Sequence, residues 1–365
     1  MTQFFCAEAS RLTQEDIIGS ASNYSTYILI EWPTPWAPNA FDSQAIPENL
    51  KQLVGEVKRT NPSVQFLLIA PHQSKPINQT KVLIYDQSRE KEKGEGEGWL
   101  KNRSQVPTFK RGVPSSSILS LPDKEYRKKE FNVENCDRLA TVISTYLAGE
   151  DPDCVSETSE TRDILICTHG SHDRCCARYG NPFYRKALAA VCDLSLSHVR
   201  IWKASHFGGH RFAPTAIDLP EGRYYGVLDP ESFRSILTRT GNIEALRKVY
   251  RGWGILPNPV QILERELMLR YGWDWLNYRV AGRILAANSA NNGFCAEVTF
   301  QKPDGSLYSY QAELIKDESK TLNLKGSCNA MKVSEFVKYS VENLNLCHYT
   351  EPVANLPVYV GKRAS

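Results

Sequence analysis

The stretch Asp163–Ala177, D-I-L-I-C-T-H-G-S-H-D-R-C-C-A, and the later stretch Val199–Pro214, V-R-I-W-K-A-S-H-F-G-G-H-R-F-A-P, decide how this chain folds. Each opens on a short apolar run bounded by polar and turn residues, the pattern of a buried strand. The first strand ends on Cys167 and the second on His206. Between them Pro182 suits the first turn of a helix, and Tyr184, Leu188 and Val191 follow at helical spacing. Beyond the second strand, A-P-T-A-I-D-L and R-Y-Y-G-V-L flank Pro220, Glu221 and Gly222, a turn sequence that predicts a hairpin. Pro230 and Glu231 then start a helix through S-F-R-S-I-L-T-R.

The resulting order, β-α-β-β-β-α, resembles a thioredoxin-like domain. Working towards the N-terminus, Tyr27–Glu31 reads as a strand ended by Pro33, Pro35 and Pro38. A helix follows through Leu50, Leu53, Val54 and Val57, then strands at Val64–Ala70 and Lys81–Tyr85. Ser88–Gly98 alternates charge with glycine and reads as an exposed mobile loop. Tyr126–Glu130, Y-R-K-K-E, reads as a solvated basic face, Asn132–Leu147 as a helix, and Gly149–Arg162 as a polar linker. This layout is similar to that of the later segment, so an internal duplication is expected. The N-terminal copy holds one histidine, His72, and no cysteine in its loop, so it is expected to be free of metal.

Towards the C-terminus a helix over Val260–Tyr271 precedes strands at Tyr278–Ala287, Gly293–Lys302, Leu307–Ile315 and Thr321–Lys325, with P-D-G at Pro303–Gly305 as a hairpin turn. A helix near Val333–Asn343 is expected to close this appendage. The fold class is therefore α/β: an N-terminal α/β domain over 1–150, a thioredoxin-like domain over 151–272, and a β-rich appendage over 273–365.

With 41% hydrophobic and 23% charged residues the chain has an ordinary globular composition, and a net charge of +3 is too small to argue for a nucleic-acid surface. The N-terminus lacks the basic start and apolar core of a signal peptide, and no run approaches the ~20 apolar residues of a membrane span. A cytoplasmic protein with neither nucleic-acid nor membrane partners is expected. Ten cysteines do not form the spacing of a small disulfide-stapled domain, so metal binding explains some of them. Cys6, Cys136, Cys154, Cys192 and Cys295 are isolated and read as buried small hydrophobes.

The candidate ligands are Cys167, Cys176, His206 and His210, in the spacing C-x8-C…H-F-G-G-H. Gly208 and Gly209 would each cost a helix about 1 kcal/mol relative to Ala, which puts the histidines on a loop, and glycines let backbone approach a bulky group closely. In open α/β sheets such strand ends line the functional crevice. Zinc is one candidate, but the loop between the cysteines is wider than the usual C-x2-4-C knuckle. A diiron cluster, with two cysteines on one iron and two histidines on the other, accounts better for that width. Spacing alone leaves Cys175 as an alternative to Cys176.

The motifs C-T-H-G-S-H-D-R-C-C-A, W-K-A-S-H-F-G-G-H-R-F-A-P-T and Y-Y-G-V-L resemble the sucrase/ferredoxin-like family over most of residues 1–270. That resemblance implies a thioredoxin-like ferredoxin domain with a 2Fe-2S cluster and selects Cys176 over Cys175. Two thiolates and two neutral imidazoles leave an oxidised cluster neutral, whereas four thiolates leave it at −2, so this set should raise the potential. A second imidazole nitrogen couples the electron to a proton at alkaline pH. The expected function is one-electron transfer between unidentified redox donors and acceptors. A zinc-stabilised binding module and a cluster-dependent oxidoreductase are the alternatives. A thiol redox enzyme lacks its C-x-x-C, and no carboxylate pair supports sucrose hydrolysis. His169 and His172 read as loop residues or as supports and proton carriers for the site, Asp173 and Arg211 as residues that orient ligands or balance charge, and Cys175 as a spare thiol.

Overall fold

A computed structural model describes residues 3–70, 79–87, 121, 125–157, 160–288 and 293–352. His72 and the Ser88–Gly98 loop lie outside the described residues. The chain opens with helix α1 (Cys6–Leu12), then runs β1 (Thr26–Glu31), α2 (Glu48–Thr60), β2 (Val64–Ala70), β3 (Thr80–Asp86), β4 (Arg127–Val133), α3 (Leu139–Leu147) and β5 (Val155–Glu157). It continues through β6 (Arg162–Cys167), α4 (Arg174–Asp193), β7 (Val199–Ala204), β8 (Ala216–Leu219), β9 (Arg223–Tyr225), α5 (Pro230–Thr238), α6 (Leu246–Val249), β10 (Tyr250–Trp253) and α7 (Asn258–Tyr271). The last segment holds β11 (Arg279–Asn288), β12 (Gly293–Gln301), β13 (Leu307–Lys316), β14 (Leu322–Leu324), β15 (Ser334–Phe336) and β16 (Tyr339–Thr350).

Ten strands form one mixed sheet in the order β10-β9-β8-β6-β7-β2-β1-β3-β4-β5. β1 lies parallel to β2 and antiparallel to β3; β6 lies parallel to β7 and antiparallel to β8. The same α/β course, thioredoxin-like in its strand order, is thus run twice. The two courses join where β2 and β7 pair antiparallel at Ile69↔Ala204 and Ala70↔Lys203.

Period-two alternation gives each strand two apolar faces. Ile28, Ile30, Phe66, Leu68, Val82 and Ile84 lie under α2 and α3. Tyr27, Leu29, Leu67, Leu83 and Tyr85 instead share an interior with Leu165, Cys167, Cys176, Trp202, Ile217 and Tyr224 of the second course. The sheet folds back on itself around that interior, because Lys128 of β4 and Tyr85 of β3 reach Asp163 of β6. Burial of each such aliphatic or aromatic side chain is worth about 1.5–3 kcal/mol. The metal-ligand candidates sit at one end of this shared interior.

Several expectations are corrected. Y-R-K-K-E is solvated on one side only: Arg127–Glu130 begins β4, pairing with β3, so Arg127 and Lys129 face solvent while the Glu130 and Lys128 side chains are only 1% and 6% exposed. They form a buried charge network in which Lys128, Lys81 and Arg200 donate to Glu130, and Lys128, Arg200 and Trp202 donate to Asp163. Pairing also takes Asn132 and Val133 into β4, so α3 starts only at Leu139. The 149–162 linker contains β5. The expected helix near Val333–Asn343 is instead β15 and the start of β16, because Tyr339–Val341 complete β13 as its edge partner at Lys316↔Tyr339 to Leu314↔Val341. The P-D-G turn is present, with Gly305 at φ 87°. β11, β12, β13 and β16 form a separate sheet whose apolar face, Val280, Val298 and Leu314, packs on α7.

Candidate metal centre

Pro182 does not open its helix. α4 begins eight residues earlier, at Arg174, because the Asp173 carboxylate accepts the Cys175 N–H at 2.8 Å and caps it. An Asp ahead of a run that closes on Ala177 and Tyr179 was a capping signal available in the sequence. Cys175 and Cys176 therefore stand in the first helical turn, where the helix dipole favours thiolates. Gly180 lets α4 approach β6: a Cβ there would lie 2.0 Å from the Cys167 carbonyl oxygen.

This packing brings Cys176 beside Cys167. The Sγ atoms of both and an imidazole nitrogen of His206 all lie within 4.8 Å of one another. His206 Nδ1 is 3.8 Å from the Cys167 sulfur and 3.6 Å from that of Cys176. His210 stands on the other side of His206, its Nδ1 3.3 Å from His206 Nε2, about the edge of a tetrahedral site with metal–nitrogen bonds of about 2.0–2.1 Å. Cys175 turns away: its sulfur lies 3.6 Å from that of Cys6 and 3.2 Å from that of Cys328.

The loop that carries the histidines is left-handed at Gly208 and Gly209, φ 94° and 79°. A Cβ at Gly209 would meet the Arg251 guanidinium at 2.6 Å. Arg251 is fully buried, donates to Gly208 O at 3.2 Å and Ser20 O at 2.6 Å, and lies over the Phe212 and Tyr224 rings. Among the described residues no carboxylate forms an ion pair with it, and burial lowers its pKa to about 10, so it stays charged. Sequence reasoning missed Arg251, since nothing marks it as near residue 208.

The imidazoles are anchored by other parts of the chain. His169 Nδ1 accepts the His206 N–H at 3.1 Å, which leaves its Nε2–H to donate to Ala37 O at 2.7 Å. Trp36 packs edge-on against the His169 ring. His172 is exposed, stacks on His206 with centroids 4.0 Å apart, and bonds Pro38 O through Nδ1. His210 Nε2–H donates to Gly326 O at 2.6 Å, so the C-terminal appendage closes the site. Arg211 pairs with buried Glu15, which also accepts from Lys338, and lies over the Phe336 ring. Its role is to fasten the His210–Phe212 turn to the N-terminal segment and the appendage.

Burial pushes the His206 imidazole down to about 2, with the neighbouring histidines and Arg251 adding to the effect, and burial also lowers His210. Both rings are therefore neutral near pH 7, the form that ligates metal. The Cys176 thiol is held well above its ordinary value, first by its hydrogen bond with Cys167 and then by burial. Two buried thiols and two neutral imidazoles are a donor set that fits a soft or borderline metal centre. Of the other cysteines, Cys6 is buried as expected but faces thiols; Cys136, Cys154 and Cys295 are only half-buried, and Cys192 is exposed.

A family model described as sucrase/ferredoxin-like matches residues 17–252, more than half of the chain. Among curated proteins the chain is similar to altered inheritance of mitochondria protein 32 of Meyerozyma guilliermondii, at 28% identity over 181 residues. That alignment covers 42% of this chain and 62% of the relative, less than two thirds of its length. No solved structure matches.

Proposed function

This chain belongs to the sucrase/ferredoxin-like family, and on that premise we propose that it is a one-electron carrier whose 2Fe-2S cluster is held by Cys167 and Cys176 on one iron and His206 and His210 on the other. The observation that carries the reading is that two buried thiols, Cys167 and Cys176, meet His206, which in turn meets His210, so that two half-buried, neutral imidazoles join the thiols at one end of the shared interior. Such a cluster, when bound, supplies one-electron chemistry at a higher potential than a four-cysteine cluster.

The rest is the work of this chain's own residues. Cys167 and Cys176 lie 2% and 1% exposed, which keeps water from the sulfurs. The first turn of α4 and the Arg251 guanidinium both favour added negative charge in the site. Gly326 O holds a proton on His210 Nε2, and His169 fixes the backbone at His206. His172, exposed and stacked on His206, is the edge through which redox partners and protons reach the half-buried rings. Among the described residues no helix is long and apolar enough to cross a membrane.

The rival reading is a zinc ion on the same four ligands, serving structure alone. Anaerobically purified protein should contain two irons and two acid-labile sulfides per chain, bleach with dithionite and then give an EPR signal with nitrogen coupling. Colourless protein with no iron, and with zinc that is lost on Cys167→Ser, would establish the rival instead.

A further inference from the structure

A second cluster of ligating side chains lies outside that set. Cys6 comes from α1, Cys175 and its capping residue Asp173 from the start of α4, and Cys328 from the loop between β14 and β15. All four are buried, at 1%, 0%, 2% and 7% exposure in that order, and their donor atoms lie within 4.8 Å of one another. The sulfurs form a triangle with sides of 3.6 Å (Cys6–Cys175), 3.6 Å (Cys6–Cys328) and 3.2 Å (Cys175–Cys328). Asp173 Oδ1 completes the figure 3.9 Å from the Cys6 sulfur. A tetrahedral zinc ion with bonds of about 2.3 Å to sulfur and about 2.0 Å to oxygen has edges of about 3.5–3.8 Å.

From this geometry we infer that Cys6, Cys175, Cys328 and Asp173 form a second metal site, which takes one zinc ion as a structural clamp. Binding forms three Zn–S bonds and one Zn–O bond and releases three thiol protons to solvent, with no electron exchanged. The site would carry a net charge of −2. The features around it offset that charge. The N-terminal end of the 20-residue α4 points at it, and the Ala7 N–H donates to the Cys175 sulfur at 3.4 Å. The Arg174 guanidinium donates to Cys328 O at 3.1 Å, while its buried Nε has no hydrogen-bond partner among the described residues. Ala7, Ala213, Phe5 and Tyr179 wall the cluster with apolar surface, as a closed structural site requires.

Disulfide formation is the competing chemistry, but three thiols at comparable separations leave one unpaired in any such pairing. A metal ion uses all three and the carboxylate as well. It would also explain why three segments distant in sequence meet here, and why adjacent cysteines point apart: Cys176 towards the iron ligands, Cys175 towards zinc.

The test uses the full-length chain, purified anaerobically without chelator, incubated with excess Zn2+ and desalted, with zinc and iron measured together. About one zinc per chain is expected, falling at least about tenfold in Cys6→Ser and in Cys328→Ser while iron content and visible absorption persist. Cys328→His, which still offers a ligand, should retain zinc and serves as the control should the serine variants fail to fold. Absence of zinc from the wild type, zinc retained in both serine variants, zinc lost only with Cys167→Ser, or a Cys175–Cys328 disulfide in the same anaerobic protein would each overturn the inference. Iron-free protein whose zinc still follows Cys6 and Cys328 would overturn the electron-carrier reading and leave this one standing.

Discussion

The N-terminal course, β1 to α3, and the second course, β6 to α5, share strand order and direction, yet among the described residues only the second brings thiols and imidazoles together. Glu31 ends β1 at the place where Cys167 ends β6. After β6 the chain makes a capped turn into a helix that returns a cysteine to the strand end. After β1 it enters the segment Trp32–Pro38, which reaches across the fold instead: Trp36 O accepts from Ser171, Ala37 O from His169, and Pro38 O contacts His172. One architecture thus serves twice, once to hold ligands and once to cover them. The choice lies in the residues that follow the first strand.

That contrast can be broken in graded steps. Largest should be Cys167→Ser and Cys176→Ser, which remove a thiolate and should abolish cluster assembly, whereas His206→Cys and His210→Cys should keep a cluster and lower its potential. Iron and sulfide analysis with a potentiometric titration reads both outcomes. Acid should come next, acting on the seam between the two courses. Burial works to raise Glu130, but hydrogen bonds from Arg200, Lys128 and Lys81 overcome it and hold the carboxyl at about 2; Asp163 is likewise held low against burial by Arg200 and Lys128. Both groups bind fewer protons folded than unfolded. Their stabilisation should therefore be complete above the unfolded values of about 4 and be lost as pH falls towards 2, as chemical denaturation across that range would measure.

Gly180→Ala forces a methyl against the Cys167 carbonyl and should cost about 1–3 kcal/mol by thermal or denaturant unfolding. Arg251→Leu removes a buried cation from behind the histidine loop and should lower the midpoint potential by about 59 mV, a tenfold change for one electron, while Arg251→Lys should keep most of it. Smallest of all, Glu31→Cys places a thiol at the N-terminal counterpart of Cys167 and should leave metal content unchanged. Added iron in that variant would show that the first course retains a latent site, and the contrast would need redrawing.

Much of the site was legible in the chain because its parts are local. C-x8-C and H-F-G-G-H are short-range patterns, and the glycines between the histidines announced the left-handed loop that is observed. The β-α-β-β-β-α course was legible for the same reason, since apolar periodicity is a local property. What failed was non-local. The run around Lys128 looks like a solvated face until β3 supplies backbone partners and Asp163 and Arg200 supply charge partners. Val333–Asn343 has a helix-compatible composition, but β13 presents an unpaired edge that takes Tyr339–Val341 as a strand. The start of α4 is the local exception: the Asp173 carboxylate caps the Cys175 N–H and opens the helix eight residues ahead of Pro182.

By itself the sequence determined the α/β course and the pair of motifs that bear the thiols and imidazoles, because residue type and spacing act over a few positions. Tertiary structure alone decided which neighbour of Cys176 faces elsewhere, which buried cation lies behind the histidines, and which distant segments close the site. Those outcomes depend on packing a folded-back sheet against helices and an appendage, so they bring together residues as far apart as Cys6, Cys175 and Cys328.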